Sequence, residues 1–291
     1  MTSTFHHRRA FLQLGGGAAA AGLLGPASAR AADTKARVVL VRRREVLARD
    51  GRVDAPVLHA MLNEAVGALL GTADAGAAWR RLAGPSDVVG VKSNSWGPLA
   101  TPPELEQAIR EELLRAGVRE VAVDDRGVRS NPVFRRMTAL VNVRPMRTHA
   151  WSGLGTCLKN VIMFAENPPD YHDDACARLG ALWQLPQLAG KVRLNVLVML
   201  TPQFHSVGPH SFARELTWPY CGLVVGLQPV PVDATGARII QAKRRQHFGA
   251  ERPISPSPHH IEIAGSRYGL GPSDPARIDL VRLGPSEDAL V

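Results

Sequence analysis

A change of hydrophobic period, repeated along residues 37–124, constrains the fold most. "RVVLVR" (37–42) is a short β-branched run, "PVLHAMLNEAVGALLG" (56–71) sets apolar residues at helical spacing, and "DVVGVKSN" (87–94) is extended again. "TPPELEQAIREELLRAGV" reads as a helix, with Thr101 placed to cap it, prolines in its first turn and Gly117 at its end; "REVAVDD" is a further strand. The order β-α-β-α-β predicts an α/β fold, a mostly parallel sheet flanked by helices. Helices through "LKNVIMFAE" and "DACARLGALWQL", strands at "KVRLNVLVML", "GLVVGLQP" and "RIDLVRL", and a helix between them continue the pattern. The pattern also allows two Rossmann-like lobes, about 37–145 and 146–283, with a tail at 284–291.

The first thirty-one residues read differently. "HHRRAFLQLGGGAAAAGLLGPASARAA" pairs Arg8 with Arg9, continues through a Gly/Ala/Leu stretch too short and glycine-rich to span a bilayer, and ends in small residues around Ala29 to Ala32. It resembles a twin-arginine export signal, with His7 where such signals carry Ser or Thr. The resemblance implies passage through the twin-arginine translocase to the periplasm or outside, or a membrane tether if the signal stays uncleaved. The formal charge of +9 suits an anionic partner, but the arginines are scattered and aromatics make up only 5% of the chain, which argues against nucleic acid and for a small carboxylate. Cys157, Cys176 and Cys221 form no C-x-x-C pair, so a cysteine-ligated iron–sulfur cluster is not expected; buried thiols are the simpler reading, and one disulfide is the other.

Ligands of parallel sheets sit beyond the carboxyl ends of the strands. "KSNSWGP" places Lys92, Asn94 and Trp96 there, "DDRGVRSNP" places Asp124, Asp125, Arg126 and Arg129, and "TPQFHSVGPHSF" places His205 and His210. Asp and Asn at strand ends also serve as helix caps, so each group alone is weak. In "RTHAWSGLGTCLKN" (147–160), His149 and Lys159 are too far apart for one helical face, and Gly153 and Gly155 lie between them. The segment reads as a loop carrying His149 into a helix that begins near Thr156, which lets His149 and Lys159 meet at one mouth. Histidine titrates near neutral pH and suits proton transfer next to a carboxylate, arginine offers a carboxylate a two-pronged donor, and a buried lysine can act as a nucleophile or hold an anion. The alternative is a loop histidine bonded to backbone and a lysine paired with a carboxylate. His172 in "YHDDAC" and His205 are candidate metal ligands, although an acidic helix start explains the aspartates equally well.

In order and spacing, "VVGVKSN", "TPPELEQAI", "REVAVDD", "MRTH…LKN", the later His172, "VGP" (207–209) and "QPVPVD" (228–233) resemble the domain of unknown function 362 family over most of residues 37–275. Arg147 stands where that family has lysine before Thr-His, Gln228 where its last motif opens with aspartate, and Thr201 near a common aspartate. "HAWSGLGTCLK" is also similar in layout to the histidine-loop-lysine segment of lactate-racemase-like enzymes, and "DDRGVR" to their acidic-then-arginine turn. That likeness implies Lys159 as the anchor of an organometallic cofactor, His149 as the proton carrier and Arg129 as the carboxylate clamp, with Cys157-Leu158 where the family has glycines. The expectation is an exported protein with catalytic His149 and Lys159 and a substrate cradle of Lys92, Asn94, Asp125, Arg129 and Asn160. It would act as a racemase, isomerase or oxidoreductase on a small carboxylate, or hold an anionic ligand or assist cofactor assembly without chemistry.

Overall fold

The computed structural model describes residues 35–206 and 211–291; the export signal, the turn at 207–209 and His210 lie outside the described residues. β1 (Ala36–Arg42) is followed by α1 (Ala55–Leu70), α2 (Ala75–Leu82), β2 (Val88–Lys92), α3 (Pro103–Arg115), β3 (Glu120–Asp124) and a short α4 (Val133–Arg136). Then come β4 (Ala139–His149), β5 (Gly153–Gly155), α5 (Cys157–Asn160), α6 (Asp173–Cys176), α7 (Leu179–Leu182), β6 (Val192–Gln203), β7 (Gly222–Gly226), α8 (Pro229–Phe248), α9 (His260–Tyr268) and β8 (Ile278–Leu283).

The fold is α/β, and its strands share one sheet in the order β3-β2-β4-β6-β7-β1-β8, with β5 hairpinned onto β4. Only β7 and β5 run against their neighbours; β3, β2, β4 and β6 are parallel, as are β1 and β8. The segments 37–145 and 146–283 therefore share one sheet: β4 spans the boundary, and β1 of the first lies between β7 and β8 of the second.

Helices cover both faces, so the strands are apolar on both sides. Val39, Val41, Val89, Val91 and Val141 pack with Leu58, Leu62, Trp79, Ile109 and Leu113 of α1–α3. Val38, Leu40, Met146 and Leu197 pack on the other face with Leu158, Leu179, Leu182 and Ile239. Asp54 caps α1 by accepting the Val57 N–H at 3.0 Å, and Gly71 ends it with φ 68°. Thr101 is not the cap of α3: Pro102 takes that place, and the Thr101 hydroxyl accepts the Asn94 N–H at 3.2 Å.

The sequence misleads most between residues 147 and 185. The expected loop after His149 is a hairpin: His149 ends β4, and β5 pairs back on it in the register Arg147↔Gly155, Thr148↔Leu154 and His149↔Gly153. The expected helix through "LKNVIMFAE" is one turn, α5, followed by a 3-10 turn at Val161–Phe164; Pro168 and Pro169 cannot continue a helix. The expected helix through "DACARLGALWQL" breaks at Asp174, Ala175 and Cys176, which have φ of 47°, 48° and 67°. Among the described residues, no helix is long and apolar enough to cross a membrane.

Candidate functional site

The connection from β2 runs through α3 outward to β3, while the connection from β4 runs through α5–α7 to β6 on its other side. The two crossovers cover opposite faces. Adjacent strands whose crossovers diverge leave a crevice at their carboxyl ends. A cavity of about 410 Å³ lies there, lined by Lys92, Asn94, Asp125, His149, Lys159 and Asn160, with Arg144, Arg147, Trp96, Trp151 and His172 in the same wall. Seven of the nine residues expected as catalytic, substrate-binding or metal-ligating thus meet in one place.

β4 supplies the floor. In a regular strand Arg144 and Arg147, three apart, would point to opposite faces. The register with β6 slips between Pro145 and Arg147, at a proline that has no N–H for the ladder. A slip of this kind re-aims the side chains beyond it, and Arg144, Arg147 and His149 all reach the cavity. β5 runs past Arg144 without a side chain at Gly155, where a Cβ would lie 2.8 Å from the Arg144 Nη2. Arg147 lies over the Trp96 ring, 3.9 Å from its centroid.

The turn carrying Lys159 and Asn160 is held from below. Asp233 of α8 accepts the Cys157 and Leu158 N–H groups at 2.9 and 2.8 Å, which satisfies the open start of α5. Asn160 shares its amide protons among Asn142 Oδ1 (2.8 Å), Val143 O (2.9 Å) and Lys92 O (3.1 Å). Its oxygen accepts from Lys92 Nζ at 3.4 Å and Asn94 Nδ2 at 3.5 Å. Lys159 points the other way, its Nζ donating to Cys176 Sγ at 3.5 Å.

Burial dominates the electrostatics. Lys92 is 1% exposed and Lys159 3% exposed. Burial, reinforced by Arg144, pulls Lys92 down to about 7; burial, reinforced by Arg144 and Arg147, brings Lys159 down to about 8. Arg144 falls to about 10 and Arg147 to about 9, in both cases chiefly through desolvation. Burial and then Lys159, Arg147 and Arg144 hold His149 far below the usual histidine range. Its Nδ1 accepts the Trp151 N–H at 3.3 Å, so the neutral ring carries its proton on Nε2. His172, brought to about 4 by burial and Lys159, stacks on Trp151 with centroids 4.3 Å apart. Among the described residues, no carboxylate lies within 4.0 Å of Lys92, Arg144 or Lys159. Asp125, at the rim, accepts from Ser95 and lies 3.7 Å from Arg126. A cavity built this way attracts anions.

Two expected members lie elsewhere. Arg129 donates to the carbonyls of Ala165 (2.8 Å) and Glu166, so it pins the loop after α5, and it is not among the residues lining the cavity. His205 takes part in a 2.8 Å hydrogen bond with Arg244 Nη1, packs on Phe248 and is not among the residues lining the cavity, which His172 joins. Cys157, Cys176 and Cys221 are separate buried thiols. In the turn before Lys159, the Cys157 and Leu158 N–H groups are both given to Asp233, and the lysine amine lies on Cys176. Arg144 is a site residue that the sequence reading does not single out, although two arginines inside the apolar run "ALVNVRPMRTH" are the available signal. Compared with family models, curated proteins and solved structures, the chain matches none.

Proposed function

We propose that this cavity binds a small carboxylate and exchanges the proton on the carbon next to it, making the protein an enzyme of racemase or isomerase type. The observation that carries this reading is the convergence of Lys92, Arg144 and Lys159, buried and without a carboxylate within 4.0 Å among the described residues, beside a neutral imidazole. The bound carboxylate neutralises cations that the fold leaves uncompensated. Lys159 carries the α-proton: its value of about 8 belongs to the empty cavity and rises when a carboxylate binds, so it is the minor fraction of free amine in the complex that takes the proton, becoming an ammonium beside the new negative charge. His149 Nε2–H donates to the carboxylate oxygen on which that charge develops; a neutral imidazole serves because its surroundings already disfavour a cation. Return of the proton completes the exchange. Export by the twin-arginine route, proposed from Arg8 and Arg9, would place this activity outside the cytoplasm.

A second reading, a carrier or assembly accessory that holds the anion without chemistry, is favoured by the amine of Lys159 resting on the Cys176 thiol. Incubating the protein with lactate, malate or succinate in deuterated water and following α-deuteration by NMR separates the two. Enzyme action predicts exchange that Lys159→Met slows by about 10²–10⁴-fold. Binding of these anions without any exchange would leave only the carrier reading.

A further inference from the structure

The cations of the cavity form two poles. Lys92 Nζ donates to Ser93 O at 2.6 Å and Asn160 Oδ1 at 3.4 Å, whereas Lys159 Nζ donates to Cys176 Sγ at 3.5 Å, and the Arg144 cation acts on both lysines. Asn160 turns its oxygen to Lys92 and Asn94, whereas its neighbour Lys159 turns toward Cys176. Lys159 also bears on His149, His172 and His260. Arg144 lines the same cavity and acts on both lysines, and its buried Nε has no hydrogen-bond partner among the described residues.

The nearest protein carboxylates are committed elsewhere. Asp124 accepts the N–H groups of Arg126 and Gly127 and the Ser130 hydroxyl. Asp125 accepts from Ser95, and Asp233 caps α5. An anion with one charge would satisfy one pole and leave the other lysine buried without a counter-ion, an unfavourable state for any charge taken out of water. A volume of about 410 Å³ has room for a longer molecule.

We propose that the ligand is a small dicarboxylate, with one carboxylate between Lys92, Asn94 and Asn160, the other between Lys159 and His149, and Arg144 bridging them. This rests on the small-carboxylate reading above and names its substrate class. It also implies proton uptake. Near pH 9 both lysines of the empty cavity are largely neutral, since burial holds them at about 7 and about 8. A carboxylate at each pole raises both values, so the dicarboxylate takes up more protons than a monocarboxylate does.

The test is isothermal titration of the full chain with succinate and with butyrate, which has the same number of carbons and one charge, in two buffers of different ionisation enthalpy near pH 9. Succinate should bind at least about thirtyfold more tightly than butyrate, the worth of one further charge-assisted contact, and with the larger proton uptake. In Lys92→Met, with melting temperature as the check on folding, the preference should fall to within about threefold. If that variant does not fold, the proton uptake of the unaltered protein still decides. Equal affinities and equal uptake for the two acids would overturn the dicarboxylate assignment while leaving the carboxylate reading standing. No binding of either acid would overturn both.

Discussion

Replacing Lys92 with methionine should stabilise this protein near neutral pH. Methionine keeps the length of the side chain and removes a charge that the fold desolvates almost completely, at 1% exposure. The fall from an ordinary 10.5 to about 7 corresponds to about 4–5 kcal/mol at about 1.36 kcal/mol per tenfold change. Against this stand the bonds from Nζ to Ser93 O at 2.6 Å and Asn160 Oδ1 at 3.4 Å. Losing them, and leaving those oxygens less well satisfied, costs about 1–2 kcal/mol together. The net gain near pH 7 is therefore about 2–4 kcal/mol. Its pH dependence follows from the lowered value: the ammonium is more costly in the folded chain than in the unfolded one, so the penalty is full below about 7 and fades as pH rises toward 10.5. Urea unfolding of both proteins at pH 7, 8.5 and 10 measures the difference, and titrations common to both cancel. A methionine variant less stable than the parent at pH 7, or a difference independent of pH, would refute the claim that Lys92 is an uncompensated buried charge.

Two other substitutions probe the scaffold of the site. Gly155→Ala leaves every charge in place but puts a Cβ 2.8 Å from the Arg144 guanidinium; succinate binding should weaken by about tenfold with little loss of melting temperature, as displacement of one charge-assisted contact requires. Gly153→Ala should lower stability by about 3 kcal/mol or more in urea, because the residue has φ 69° and its Cβ would collide with the Pro256 carbonyl, which cannot move independently of its chain.

The sequence showed the architecture wherever the hydrophobic period was clean. β1, α1, β2, α3 and β3 fall close to their expected places, and Lys92 and Asn94 could be placed because "VVGVK" is an unbroken strand ending at the crevice. β4 was illegible because Arg144, Pro145 and Arg147 interrupt its apolar pattern, although all eleven of its residues are buried. The register slip that aims both arginines into the cavity is a property of pairing with β6, which no local pattern encodes. Arg129 and His205 lie outside the cavity lining for a related reason. Each stands near a strand or loop end like the true site residues, but its partner comes from a distant segment: the Ala165 and Glu166 carbonyls for one, and Arg244 for the other. His149 and Lys159 did meet, although through a hairpin and one helical turn in place of a loop and a long helix.

The central claim is that buried lysines in this cavity await a carboxylate, and the carbon shifts of the lysine side chains test it most directly. The chain has five lysines, Lys35, Lys92, Lys159, Lys191 and Lys243, so selective ¹³Cε labelling gives a spectrum simple enough to assign by substitution. Two resonances should titrate near 7 and near 8 in the protein alone, and both should move toward 10.5 when succinate is added. Five resonances that titrate near the ordinary lysine value of 10.5, unchanged by succinate, would contradict the account.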